Sequence, residues 1–147
     1  MKFPYNSYPF RGVGAVRTTK IYRPTVPVQV YGPVGEWLAF GLADTGADDT
    51  MLPDRYIETL GVAIHPLDFA NIVGIDGGTV HLRYGTVDLE IARPGVSYRW
   101  TARVGFYAGS KAIFGHSGFL QYFTATFNGH RRHLTLTPNG TATAPAG

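Results

Sequence analysis

Residues 37–50 read WLAFGLADTGADDT. From Trp37 to Ala43 the run is apolar almost without interruption, which predicts a strand buried on both faces. It stops abruptly at Asp44, in a loop of Asp, Gly and Thr. A carboxylate set directly behind a buried strand must be hydrogen-bonded or put to chemical use, because an unpaired buried charge costs several kcal/mol. Thr45 and Gly46 supply the means. The glycine lets the chain turn sharply and aims backbone N–H groups at the Asp44 oxygens, while the threonine hydroxyl can lock the loop. Taken alone, the tripeptide reads first as a plain turn between two strands.

The flanking sequence reads as strands and turns. Upstream, VPVQVY (26–31) and a turn at Gly32 to Gly35 make the apolar run the second arm of a β-hairpin. Downstream, MLPDRYIETLGV (51–62) allows one short helical turn with an exit at Gly61. NIVGIDGGTVHLRYGTVDLEI (71–91) predicts a second hairpin with a flexible GIDGG tip, and Val80, Leu82 and Tyr84 form one apolar face. In SYRWTARVGFYA (97–108), Tyr98, Trp100, Ala102 and Val104 alternate with Arg99, Thr101 and Arg103, the period of a strand. In AIFGHSGFLQYF (112–123), Ile113 and Phe114 end a strand and Ser117 caps a short helix carrying Phe119, Leu120 and Phe123. FTATFNGHRRHLTLTP (123–138) predicts a last hairpin turning at Asn128-Gly129.

Composition agrees. The 147 residues suffice for one well-cored domain, and 44% hydrophobic against 16% charged residues excludes a wholly disordered chain. Nineteen Gly and ten Pro favour short strands over long helices, so the expected class is all-β. Without cysteine there is no disulfide scaffold, thiolate zinc site or cysteine nucleophile. MKFPYNSYPF lacks the apolar core of a signal peptide, and no apolar run is long enough to span a bilayer, so a soluble chain with no membrane partner is expected; the compartment stays open. The net charge is +3, but apart from Arg131 and Arg132 the basic residues are scattered. The HRRH turn therefore reads as a solvated tip, and no nucleic-acid partner is expected. His130 and His133 fall on opposite strand faces, which argues against a shared metal, and Gly12-Val13-Gly14 is too short for a dinucleotide loop. Residues 1–20 read as an arm ordered on a partner surface through Tyr5, Tyr8 and Phe10, residues 21–138 as the domain, and 139–147 as a flexible tail.

LADTGADDTMLP (42–53), the Gly-rich hairpin about 25 residues later and AIFGHSGFLQYF together resemble, in order and spacing, the retropepsin family of aspartic proteases, over Val26 to Phe127. The resemblance implies a closed β-barrel lobe with a flap hairpin and one short C-terminal helix. It implies that Asp44 is catalytic, with Thr45 and Gly46 supporting its loop. Peptide hydrolysis of this kind needs two carboxylates sharing one proton, and this chain has a single DTG. The resemblance therefore implies a homodimer with one Asp44 from each copy and Thr45 bonding across the twofold axis. Ala47, Asp48 and Asp49 would meet an extended polypeptide substrate, with solvated loop acids as the lesser alternative for Asp48 and Asp49. Val73, Gly74, Ile75, Asp76, Gly77 and Gly78 would close over the substrate as a flap, with Val73, Ile75 and Val80 lining pockets for bulky apolar residues. No cofactor or metal is implied, since water is the nucleophile. The rival class is a catalytically silent dimeric module binding peptide or protein in the same groove, and the segment could also be excised from a longer precursor.

Three positions depart from the family pattern. Where an arginine paired with an acid beside the catalytic loop is implied, this chain has Gly115-His116-Ser117; His116 reads either as an imidazolium in that part or as a surface helix-cap residue. A full hairpin from Thr124 to Thr137 stands where one short strand is implied, as at the ends of pepsin-like lobes. Ala47 lacks the hydroxyl with which a Ser or Thr there would hold the carboxylate's charge, so activity at mildly acidic pH is expected.

Overall fold

The computed structural model describes residues 1–10 and 19–140. Residues 11–18 of the expected arm, Gly12-Val13-Gly14 among them, and residues 141–147 of the expected tail lie outside the described residues. The strands are β1 (Lys2–Pro4), β2 (Asn6–Phe10), β3 (Thr19–Arg23), β4 (Thr25–Tyr31), β5 (Glu36–Ala43), β6 (Met51–Pro53), β7 (Phe69–Val73), β8 (Thr79–Arg93), β9 (Val96–Tyr107), β10 (Ile113–Phe114), β11 (Phe123–Asn128) and β12 (His133–Pro138). One helix, α1 (Tyr56–Leu60), follows β6 and ends at Gly61, whose φ of 68° is the left-handed cap its lack of a Cβ permits. The all-β expectation holds.

The main sheet runs β4-β5-β10-β6-β9-β8-β7, and β8 also pairs back onto β4 through Gln29↔Glu90, Val30↔Leu89 and Tyr31↔Asp88. Six strands thus close a ring, with β7 hanging from β8 outside it. Alternation decides what faces the interior: Val26, Val28 and Val30 of β4, Leu89 and Ile91 of β8, and Ala102 and Val104 of β9 are all buried.

The apolar run in β5 is not buried on both faces. Ala39, Gly41 and Ala43 point inward, while Leu38 and Phe40 are 47% and 61% exposed. A strand in a barrel wall has one inner face, and here the small residues take it. A Cβ on Gly41 would lie 2.3 Å from the Phe114 ring, so bulk on this strand has to point outward.

The predicted 71–91 hairpin is part of a longer element. β8 pairs with β7 from Phe69↔Arg83 to Val73↔Thr79, then continues with β9 from Arg83↔Phe106 to Arg93↔Val96. The tip, residues 74–78, therefore projects from a strand anchored in the ring.

Two local expectations fail near the carboxyl end. Ser117 caps no α-helix: the helix is a 3-10 turn over Leu120–Tyr122 without a side-chain cap, although Phe119, Leu120 and Phe123 are buried as expected. Trp100 packs between Phe119 and Phe123 and donates its indole N–H to the Gly118 carbonyl at 2.9 Å. The β11–β12 hairpin is present, with Thr124↔Thr137 in register, but its loop is Gly129 to Arg132 rather than a two-residue turn. Asn128 Oδ1 accepts the Arg131 N–H at 2.8 Å, and the left-handed residue is Arg132, at φ 53°.

Within the segment expected as an arm, β1 pairs with β12 and buries Phe3 to 2% exposure, and β2 pairs with β3. Among the described residues no helix is long and apolar enough to cross a membrane.

Candidate active site

Asp44 follows β5 at the point where parallel pairing with β10 ends. Phe114 lies opposite Ala43, and the Asp44 N–H donates to the Phe114 carbonyl at 3.0 Å. Asp44 Oδ1 accepts the Gly46 N–H at 2.8 Å, closing a small side-chain turn, and the Ala47 N–H donates to the Asp44 carbonyl at 3.3 Å. Asp44 is half-buried, while Thr45 and Gly46 are exposed. Among the described residues no hydrogen bond reaches the other Asp44 oxygen. The geometry presents one carboxylate, oriented by a backbone donor, on the open side of its loop.

The loop is fastened from behind by the Gly115–Ser117 segment. The His116 N–H donates to the Ala47 carbonyl at 2.9 Å, the Ser117 N–H to Asp48 at 2.8 Å, and the Thr50 N–H to Ser117 at 2.9 Å. Gly115 makes this approach possible: a Cβ there would lie 2.3 Å from the Asp49 oxygen and 2.6 Å from the Ala47 oxygen. His116 has a contact within the loop that its sequence context did not indicate. Its Nε2 lies 2.8 Å from the Thr45 carbonyl, to which the imidazole donates, so its partner is loop backbone rather than an acid, and there is no α-helix for it to cap.

Asp49 is not merely solvated. It accepts the Tyr84 hydroxyl at 3.0 Å; Arg103 lies over the Tyr84 ring at 3.5 Å and pairs with Asp68. Burial, and then the bond to Asp49, push the Tyr84 hydroxyl above its ordinary range. Asp48 is exposed. The Thr50 hydroxyl is buried without a partner, and alternation had marked Tyr84 as inward-facing without revealing what it meets.

The β7–β8 tip is stiffened by its own bonds. The Gly74 N–H donates to Gly78 at 2.8 Å and the Gly77 N–H to Gly74 at 2.9 Å. Asp76 Oδ1 accepts the Gly78 N–H at 2.9 Å, repeating the Asp-X-Gly turn of Asp44. Val73 and Ile75 project into solvent, and among the described residues no hydrogen bond joins this tip to the Asp44 loop.

Beside the strands that deliver Asp44 lies a cavity of about 280 Å³ with a mainly apolar lining, including Tyr8, Arg23, Phe40, Leu42, Lys111 and Ile113. Leu42 is two residues before Asp44 and pairs with Ile113, so the exposed outer face of β5 is one wall. Tyr8 comes from the supposed arm, held by its hydroxyl 3.0 Å from Thr25 Oγ1. The cavity draws on residues distant in sequence, so only the outward apolar residues of β5 hinted at it.

Comparison of the chain with protein-family models finds no match, and comparison with curated proteins finds none either. Among solved structures it is similar to the EIAV protease complexed with the inhibitor HBY-793, at 23% identity over 64% of this chain and 82% of that one, with a TM-score of 0.48.

Proposed function

We propose that the chain is an aspartic endopeptidase that hydrolyses extended polypeptides through a dyad of Asp44 and the Asp44 of a second copy. The observation that carries the reading is the Asp44 loop: a carboxylate at the end of a barrel strand, one oxygen fixed by the Gly46 N–H, two residues beyond Leu42 in the wall of an apolar cavity. A lone carboxylate cannot be base and acid at once, so the site needs its symmetry mate. One carboxylate then takes a proton from water as the oxygen attacks the scissile carbonyl carbon. The other, protonated, donates to the carbonyl oxygen and stabilises the tetrahedral intermediate. Collapse breaks the C–N bond, with the proton going to the leaving nitrogen.

The remaining residues take supporting parts. Thr45, exposed on its own chain, bonds to the partner loop, and Gly46 holds Asp44. Ala47, Asp48 and Asp49 border the substrate. Val73, Gly74, Ile75, Asp76, Gly77 and Gly78 form the flap that closes over it, excluding water. The lobe is residues 21–138, and the cavity beside β5 takes an apolar substrate side chain.

The test is cleavage of a denatured protein or peptide library between about pH 4 and 7, beside Asp44→Asn, with sedimentation of the chain. Cleavage abolished by Asp44→Asn together with a dimer is the expected result. Equal cleavage by both proteins refutes the reading, and peptide binding without cleavage assigns the groove to a silent binding module.

A further inference from the structure

The fold gathers basic residues that the sequence scatters. Lys2 on β1, Arg93 at the end of β8, and Arg131, Arg132 and His133 at the β11–β12 loop line one open groove of about 500 Å³. Strand pairing brings them together: Pro4 lies opposite His133, and the Arg93 guanidinium donates two hydrogen bonds to the Lys2 carbonyl. Among the described residues no carboxylate lines the groove, and none of the ion pairs uses these four Lys and Arg. Four cations along one groove whose described lining holds no carboxylate give it a positive local potential, which attracts anions over a Debye length.

Two of the cations are already oriented. Arg93 lies over the Phe3 ring at 4.7 Å to the centroid, and Arg132 over Tyr22 at 3.7 Å. A guanidinium backed by a ring has surrendered side-chain freedom before any ligand arrives, and it leaves its outer plane and remaining N–H groups to the solvent.

We propose that this groove binds single-stranded nucleic acid through its phosphodiester backbone, a site separate from the Asp44 loop and independent of the protease reading. Three of the four cations are arginines, whose planar fork matches phosphate oxygens in pairs. Separate cations along an open groove suit a string of singly charged phosphates better than one compact anion. The Arg132 plane, backed by a Tyr22 ring that is 39% exposed, is a platform on which an unpaired base stacks. An acidic peptide makes no use of that platform, and a base inside a duplex cannot reach it. Binding is accordingly independent of sequence. The expectation of no nucleic-acid partner came from charges counted along the chain, which does not register cations that the fold gathers.

The experiment is fluorescence anisotropy of labelled oligodeoxythymidine and oligouridine titrated with the full chain at several salt concentrations. Four phosphate contacts give a slope of log affinity against log salt of about −3. Arg131→Ala with Arg132→Gly should weaken binding about tenfold and bring the slope to about −1.5. Glycine suits the left-handed backbone at 132, so this variant keeps its fold, which circular dichroism checks. Arg55→Ala, the loss of one charge beside α1 and outside the groove, should leave binding unchanged. The proposal is overturned by absence of binding at low salt, by equal affinity of the double variant, or by poly-glutamate or anionic vesicles competing as well as the oligonucleotide.

Discussion

Replacing Gly115 by alanine tests the claim that the Asp44 loop is held by close backbone packing. The new Cβ would lie 2.3 Å from the Asp49 oxygen, 2.6 Å from the Ala47 oxygen and 2.7 Å from the Asp49 carbonyl carbon, so something must move by roughly 1 Å. The atoms met are backbone, and the bonds His116 N–H to Ala47 and Ser117 N–H to Asp48 fix them in place. A shift of that size loses two hydrogen bonds at about 1 kcal/mol each, on top of about 1–3 kcal/mol of overpacking, for a cost of about 3–5 kcal/mol. With a urea dependence of about 2 kcal/mol per molar, the unfolding midpoint falls by about 2 M. Urea titration should be run at several protein concentrations, because a dimer makes the midpoint concentration-dependent. Gly129→Ala is the control: a Cβ there meets nothing within 4 Å, so a change within about 0.5 kcal/mol is expected. A Gly115→Ala protein as stable as the control, with unshifted amide resonances for residues 44–50, would refute the packing argument.

Four further outcomes follow from single contacts. Thr50→Val removes a buried hydroxyl that has no partner, so stability should hold or rise by about 1 kcal/mol; a loss of that size in chemical denaturation would reveal a missed bond. Tyr84 has its hydroxyl raised above the ordinary 10.0 in the fold, so its contribution is present below about pH 10 and is lost as pH rises through the raised value. Tyr84→Phe should therefore be about 1 kcal/mol less stable at neutral pH and lose less on alkaline titration, and parallel stability profiles for the two proteins would contradict this. Ala47→Ser adds a hydroxyl that can support a charged Asp44, moving the optimum for peptide cleavage to lower pH; an unchanged pH–rate profile would refute that role. Tyr8→Ala widens the cavity of about 280 Å³ beside β5, and peptide-library profiling should show preference moving to bulkier apolar side chains at one subsite.

The sequence by itself determined what is local. Alternation in Val26, Val28 and Val30, and in Trp100, Ala102 and Val104, located strands because side chains two apart share a face. The Asp44 loop and the projecting 74–78 tip were legible because Asp-X-Gly closes its own turn, within three residues, in both places. Tertiary structure decided everything that depends on closure of the ring. The pairing of Gln29 with Glu90 joins its ends, and that closure leaves β5 with one inner face, so Leu38 and Phe40 point outward although their run reads as fully buried. The parallel pairing of β10 with β5 sets His116 against the carbonyl of Thr45, 71 residues away. Likewise, the pairing of β1 with β12 brings Lys2 to the β11–β12 loop with Arg131, and the Arg93 side chain from β8 reaches the Lys2 carbonyl. Local propensity carries no information about such partners, because which strands become neighbours is settled by the burial of the whole core rather than by any one segment.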